Sequence, residues 1–278
     1  MADKAPIRPF PHAGADISTT RAKTPTPQTR SASYRLAFAD DDFLLTDELR
    51  GTRLMLEYLK PELALRAHGV KSTVVVFGST RISDPDAQPP SGERRPALER
   101  DYYREARRFA ALLATQNGEH EDLECVIMTG GGPGIMEAAN RGAADVGAKS
   151  IGLNIVLPRE QVPNPWITPE LTFQFHYFAL RKLHFLLRAK ALVAFPGGFG
   201  TLDELFEALT LLQTRRIHPM PVLLFGEAFW RRIVDFDAMV ELGVIAREDR
   251  DLFRFVETAE QAVAWIRDAG RAPGPDPK

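Results

Sequence analysis

The sequence predicts an α/β fold: a doubly wound, mainly parallel sheet of Rossmann-like type with helices on both faces. Three observations predict it. Short, continuous apolar runs recur after Gly69, at Thr73–Phe77, Leu123–Met128, Ser150–Val156, Thr172–His176, Ala191–Phe195 and Pro221–Phe225. Helical patterns alternate with them, near Leu98–Gln116, Ile135–Val146, Tyr177–Ala189, Leu202–Arg215, Ala228–Glu241 and Ala259–Ala269. Two of the runs empty through glycine clusters directly into a helical pattern. Unbroken apolar strands are those covered on both faces, and strands alternating with helices build parallel sheets. Right-handed crossovers then carry helices to both faces and leave ligands at the carboxyl ends of the strands.

Residues 1–33 hold Pro6, Pro9, Pro11, Pro25 and Pro27 among many Ser, Thr, Lys and Arg residues, and no period is legible. They read as a disordered tail. From Asp40, the residues Phe43, Leu44, Leu49, Leu54, Leu56, Leu59 and Leu63 recur at helical steps, with Gly51 or Pro61 expected to split the region into two helices. The reading is therefore one domain over 34–270 with an N-terminal helical extension, closed by a flexible 271–278.

Composition bounds the function. A chain of 278 residues can bury a substantial core. Its net charge of −2 argues for neither nucleic acid nor an anionic membrane as partner. Cys125 is the single cysteine, so no internal disulfide can form, and it reads as a small hydrophobe inside its strand. No apolar run reaches the roughly twenty residues of a membrane span, and no secretory leader is legible. A cytoplasmic protein is expected.

The chemistry concentrates at the glycine junctions. Pro196-Gly197-Gly198-Phe199-Gly200-Thr201-Leu202-Asp203-Glu204 follows the Ala191–Phe195 run. Glycines admit a ligand close to the backbone, and the N–H groups and dipole of a helix start attract an anion. Glu204 adds a carboxylate beside that anion. A simpler reading stands next to it: Thr-x-x-Glu is a capping box, with Thr201 as cap and Glu204 folding back on the backbone. That reading leaves Gly197, Gly198 and Gly200 without a purpose.

A second cluster, Thr129-Gly130-Gly131-Gly132-Pro133-Gly134-Ile135-Met136, follows the Leu123–Met128 run, with Pro133 expected in the first helical turn. It is neither a dinucleotide fingerprint nor a Walker loop. Gly78-Ser79-Thr80-Arg81 follows the first run and reaches the same sheet edge, where Ser79 and Arg81 can meet phosphate or sugar. The Asp84–Arg95 segment beyond reads as a solvated loop or a lid. In Phe178-Ala179-Leu180-Arg181-Lys182, Phe178 and Phe185 are expected to face the core. Arg181 sits at a helix start, where a cation is disfavoured unless an anion such as Glu204 compensates. The six histidines show no metal-ligand spacing, and no G-x-S-x-G elbow is present.

Residues 196–204 resemble the PGGxGTxxE signature of the Lonely Guy family. Thr129–Met136 resembles that family's second glycine loop, and Arg181-Lys182 its Arg-Lys pair. The likeness covers roughly Ser72–Phe225. Many members carry the label lysine decarboxylase, which nothing here supports, since no lysine is marked for a pyridoxal Schiff base. The resemblance implies hydrolysis of the N-glycosidic bond of a nucleoside 5′-monophosphate, AMP or a cytokinin-type adenine nucleotide foremost, to free base and ribose 5-phosphate. It implies no cofactor and no metal, and a homodimer or larger homo-oligomer.

Glu204 and Arg181 would then be the catalytic pair, Glu204 ionised and stabilising the oxocarbenium-like state. Gly130, Gly131, Gly132, Gly134, Gly197, Gly198, Gly200 and Thr201 would hold the phosphate. Gly78, Ser79, Arg81, Met136, Lys182 and Glu160, the last within a Pro-Arg-Glu similar to the family's, would line the pocket. The alternative is a nucleotide- or molybdenum-cofactor-binding carrier of the same fold that performs no chemistry. The tail, the Asp40–His68 helices and the Arg81–Arg100 insertion exceed the compact plant-type members and resemble a longer bacterial type.

Overall fold

A computed structural model describes residues 12–86, 98, 100–115, 124–158 and 162–269. Glu160, most of the 84–95 loop and the 271–278 terminus lie outside these residues. The chain divides into two compact units, Met1–Leu56 and Glu57–Lys278.

In the first unit, α1 (Ala13–Arg21), α2 (Pro27–Arg30) and α3 (Asp41–Leu44) bury no residue. The sequence shows no period over α1 because that helix has no apolar face to display. Its order is local: His12 accepts the Gly14 N–H at its start, and Thr26 and Thr29 cap α2 reciprocally. α4 (Arg50–Ala67) runs across the unit boundary. The expected break at Gly51 or Pro61 does not occur. Gly51 lies in the first turn, Pro61 is inside the helix and buried, and the chain turns instead just before α4, through a short 3-10 segment at Asp47–Leu49.

Among the described residues the second unit holds seven strands: β1 (Thr73–Phe77), β2 (Val126–Thr129), β3 (Ser150–Ile155), β4 (Thr172–Phe175), β5 (Ala189–Ala194), β6 (Val222–Phe225) and β7 (Arg254–Val256). All pair in parallel, in the order β4-β3-β2-β1-β5-β6-β7. The helices are α5 (Tyr102–Thr115), α6 (Ile135–Asp145), α7 (Phe178–Leu187), α8 (Phe199–Gln213), α9 (Glu227–Ile233), α10 (Phe236–Glu241) and α11 (Ala259–Ala269).

Strand side chains point alternately to two apolar layers, as the period of two requires. Val74, Val76 and Val193 join Phe109 of α5, Ile135 of α6 and Val263 of α11. Val75, Phe77 and Leu192 join Leu65 of α4, Phe185 of α7, Leu205 of α8, Trp230 of α9 and Phe236 of α10. The sheet is doubly wound.

Several local expectations are corrected. Cys125 precedes β2, half-buried, because its φ of 50° cannot continue a strand. Pro133 lies outside α6, whose N-cap is Gly134 at φ 72°. The Ala228–Glu241 pattern is two helices. Val234 is extended between them, and Asp235 caps the second by accepting the Ala238 N–H at 2.8 Å.

α5 and α6 pack so closely that a Cβ on Gly142 would stand 2.0 Å from the Arg107 carbonyl oxygen. Gly142→Ala is expected to destabilise the fold by about 1–3 kcal/mol, the usual cost of overpacking, read as a lowered urea midpoint.

Candidate active site

The strand order reverses at the centre: the chain leaves β1 toward β2, β3 and β4, then returns to β1's other side as β5. Such a switch point opens a crevice at the strands' carboxyl ends. All three glycine loops end there. The Ser79 N–H donates to Pro196 O at 3.0 Å and the Ile135 N–H to Ser79 O at 3.1 Å, so the loops after β1, β2 and β5 are laced together. Between them lies a cavity of about 770 Å³, within the ordinary range for small-molecule sites.

Of the residues singled out in the sequence, Gly78, Ser79, Arg81, Gly130, Gly132, Met136, Arg181, Gly197, Gly198, Gly200, Thr201 and Glu204 line this cavity. Gly131, Gly134 and Lys182 are not among its lining residues. Phe178, expected in the core, is half exposed and lines the cavity, whereas Phe185 is buried as expected. Asn154 and Phe229, and Phe199 and Asp203 from within the Pro196–Glu204 motif, line it too without having been named as site residues.

The capping box does not form. α8 begins at Phe199 with Gly198 as N-cap and no side-chain cap, so Thr201 is already inside the helix and Glu204 lies in its second turn. The glycines divide into two kinds. A Cβ on Gly197 would strike Thr201 Oγ1 at 2.1 Å, whereas one on Gly198 or Gly200 would meet nothing within 4 Å. Gly197 is fixed by the protein's own packing, while Gly198 and Gly200 keep space in front of the helix N-terminus open. That terminus, with its free N–H groups, is suited to an anion.

The second glycine loop is held from behind by a buried polar network. Thr129 Oγ1 donates to Asn140 Oδ1 at 2.7 Å and accepts the Gly131 N–H at 3.0 Å. Asn164 Nδ2 donates to the carbonyls of Gly131 and Gly132 at 3.2 and 3.1 Å and to Asn140 Oδ1 at 3.0 Å. Gly131, at φ 74°, takes a backbone shape that residues with a Cβ resist.

Three charges meet at the cavity's side. Arg181, from α7, donates through Nε to Leu153 O at 2.7 Å and lies over the Phe185 ring, 5.2 Å from its centre. Burial pulls its pKa down, and Glu204 works against that pull by favouring the cation. The compensation the sequence required for a cation at a helix start is therefore present.

Glu204 is expected ionised from its helix position, but burial raises its pKa to about 7, with Lys182 and then Arg181 opposing the rise. Lys182 stands 2.8 Å from Asp203, 2.9 Å from Glu207 and 3.5 Å from Glu204. Burial opposes its charge, yet hydrogen bonds to Asp203 and Glu207 outweigh it and the ammonium is held. A carboxyl raised in the fold from 4.5 favours folding most fully at low pH, and that contribution is lost as pH climbs through about 7. The same group can accept or give a proton near neutrality. Among the described residues, no three His, Cys, Asp or Glu side chains cluster as metal ligands would, and no helix is long and apolar enough to cross a membrane.

Fold and cavity thus define an α/β protein with a cleft open to a helix N-terminus and a carboxylate–guanidinium pair at its switch point. A family model described as "Possible lysine decarboxylase" matches residues 136–266. Cytokinin riboside 5'-monophosphate phosphoribohydrolase LOG4 of Arabidopsis thaliana is 32% identical over 148 residues, 51% of this chain and 66% of the relative. LOG1 of the same plant is 31% identical, over 51% of this chain and 67% of its own length. The chain belongs to this LOG family.

The matched segment is about half of this chain, and for LOG4 it falls just short of two thirds of the relative. Among solved structures, the molybdenum cofactor binding protein from the phototrophic bacterium Rippkaea orientalis aligns over 72% of this chain and 95% of its own. It does so at 18% identity and a TM-score of 0.45.

Two outcomes are expected. The Glu204 carboxyl titrates near pH 7 by carbon NMR, and Lys182→Met, which removes the strongest interaction lowering it, moves the midpoint upward. Gly200→Ala folds with unchanged or slightly raised thermal stability but weakens phosphate binding, whereas Gly197→Ala lowers stability. Thermal melts with and without inorganic phosphate separate the two.

Proposed function

We propose that the protein hydrolyses the N-glycosidic bond of a nucleoside 5′-monophosphate, releasing the free base and ribose 5-phosphate. The observation that carries this reading is the meeting of Glu204 and Arg181 in the one cavity into which the open N-terminus of α8 points. The names of the LOG relatives support it, since they act on a riboside 5'-monophosphate.

In this reading the 5′-phosphate rests on the N–H groups at Gly198–Thr201, where the α8 dipole favours negative charge. Cleavage leaves positive charge on the ribose ring as the base departs. Ionised Glu204, poorly hydrated in its pocket, stabilises that charge more strongly than a solvated carboxylate can, and takes the proton of the attacking water. Its pKa of about 7 places the working form at neutral and mildly alkaline pH. Arg181, fixed by the Leu153 carbonyl, is positioned to hydrogen-bond the substrate and to keep Glu204 from protonating earlier. An adenine nucleotide is the foremost candidate, and the assembly is proposed to be homo-oligomeric.

The test is incubation of the purified protein with a panel of 5′-monophosphates, AMP first, with base and ribose 5-phosphate quantified. Turnover is expected to vanish in Glu204→Gln while the fold persists, since Glu204 caps nothing. Full activity in that variant would remove the carboxylate from the mechanism. Tight nucleotide binding without release from the parent protein would make it a carrier.

A further inference from the structure

Asn154 lies in β3, at the cavity wall and only 7% exposed. Its Oδ1 is buried without a hydrogen-bond partner, and its amide bonds to no described residue. The amide is seated by design of the loop beneath it: a Cβ on Gly131 would fall 2.2 Å from Oδ1 and 2.9 Å from Nδ2. A residue with a side chain at 131 would expel it. The other polar side chains in this region, Thr129, Asn140 and Asn164, are all satisfied by one another or by the backbone. A buried amide left unpaired costs free energy, and such a group persists where something outside the chain completes it.

Its place in the sheet says which part of a ligand it meets. β3 is three strand positions from β5, about 14 Å across the sheet at the usual strand spacing. α8 and its anion-receiving terminus follow β5. Arg181 comes between, bonded to Leu153, the residue just before Asn154. A nucleotide with its phosphate at α8 and its glycosidic bond at Arg181 and Glu204 therefore extends its heterocycle toward β3, where Ile155 and Leu157 add apolar wall.

We infer that Asn154 reads the base, and that its carboxamide selects a 6-aminopurine over a 6-oxopurine. The inference rests on the nucleotide reading above and adds the group that discriminates. A carboxamide carries a donor and an acceptor side by side, which matches the N7 acceptor and 6-amino donor of adenine. Against hypoxanthine, the amide oxygen would face the 6-oxo group, two acceptors opposed. A ribose hydroxyl, by contrast, needs no such paired edge.

The experiment is calorimetric binding of AMP, IMP and ribose 5-phosphate in a Glu204→Gln background, so that no ligand is consumed. The parent is expected to prefer AMP by about tenfold or more, as one well-placed bidentate contact provides. Asn154→Leu, close in size, and Asn154→Ala are expected to bring the AMP-to-IMP ratio toward one and leave ribose 5-phosphate binding unchanged. An unaltered ratio, or equal losses for AMP, IMP and ribose 5-phosphate, would overturn the assignment and leave the hydrolase reading standing. AMP preference lost in the variants of a protein that releases no base would uphold Asn154 and remove the hydrolase. No nucleotide binding by the parent would overturn both.

Discussion

Every strand of this sheet runs the same way, and that constraint organises the rest of the molecule. Parallel pairing obliges the chain to return over a face of the sheet after each strand, so all carboxyl ends share one edge. With β1 central and the winding reversed there, β2, β1 and β5 deliver their loops side by side. Residues more than a hundred positions apart, Ser79 and Pro196 among them, come within hydrogen-bond distance without a specific long-range contact to recruit them. The cavity is a by-product of topology, and its glycines decide what it admits.

The charged groups beside it would be unfavourable one at a time. A guanidinium buried at a helix start, a carboxyl with its pKa lifted to about 7 and an ammonium among three acids all pay for desolvation. Together each offsets its neighbour. Arg181 and Lys182, consecutive on α7, face Glu204 from α8, so the spacing of two helices sets the ionisation of one carboxyl. A shift in either helix would be felt first as a change in that proton equilibrium.

Six of the seven strands were legible because each is an apolar run flanked by turn residues. β7 was not, since Arg254-Phe255-Val256 is too short to show a period and gains its place by pairing with β6. The site was legible where glycines and charges stand together in sequence, and less so where it depends on depth. Helix position argues for an ionised Glu204; only packing reveals the desolvation that lifts its pKa. Asn154 carries no local signal at all, as an Asn within an apolar strand looks the same whether its amide is satisfied or not. The break between α9 and α10 did have one: Asp235, three residues before the Ala238 N–H it accepts, is a cap in plain view.

The two kinds of glycine in residues 197–200 carry different histories. Gly197 answers to the Thr201 side chain packed against it, so any descendant keeping this turn and that threonine must keep it, whatever it does for a living. A side chain on Gly198 or Gly200 would meet nothing within 4 Å, so only the use made of the open cleft constrains them. Drift at these two, with Gly197 intact, is the mark of a lineage that has retained the architecture and surrendered its guest.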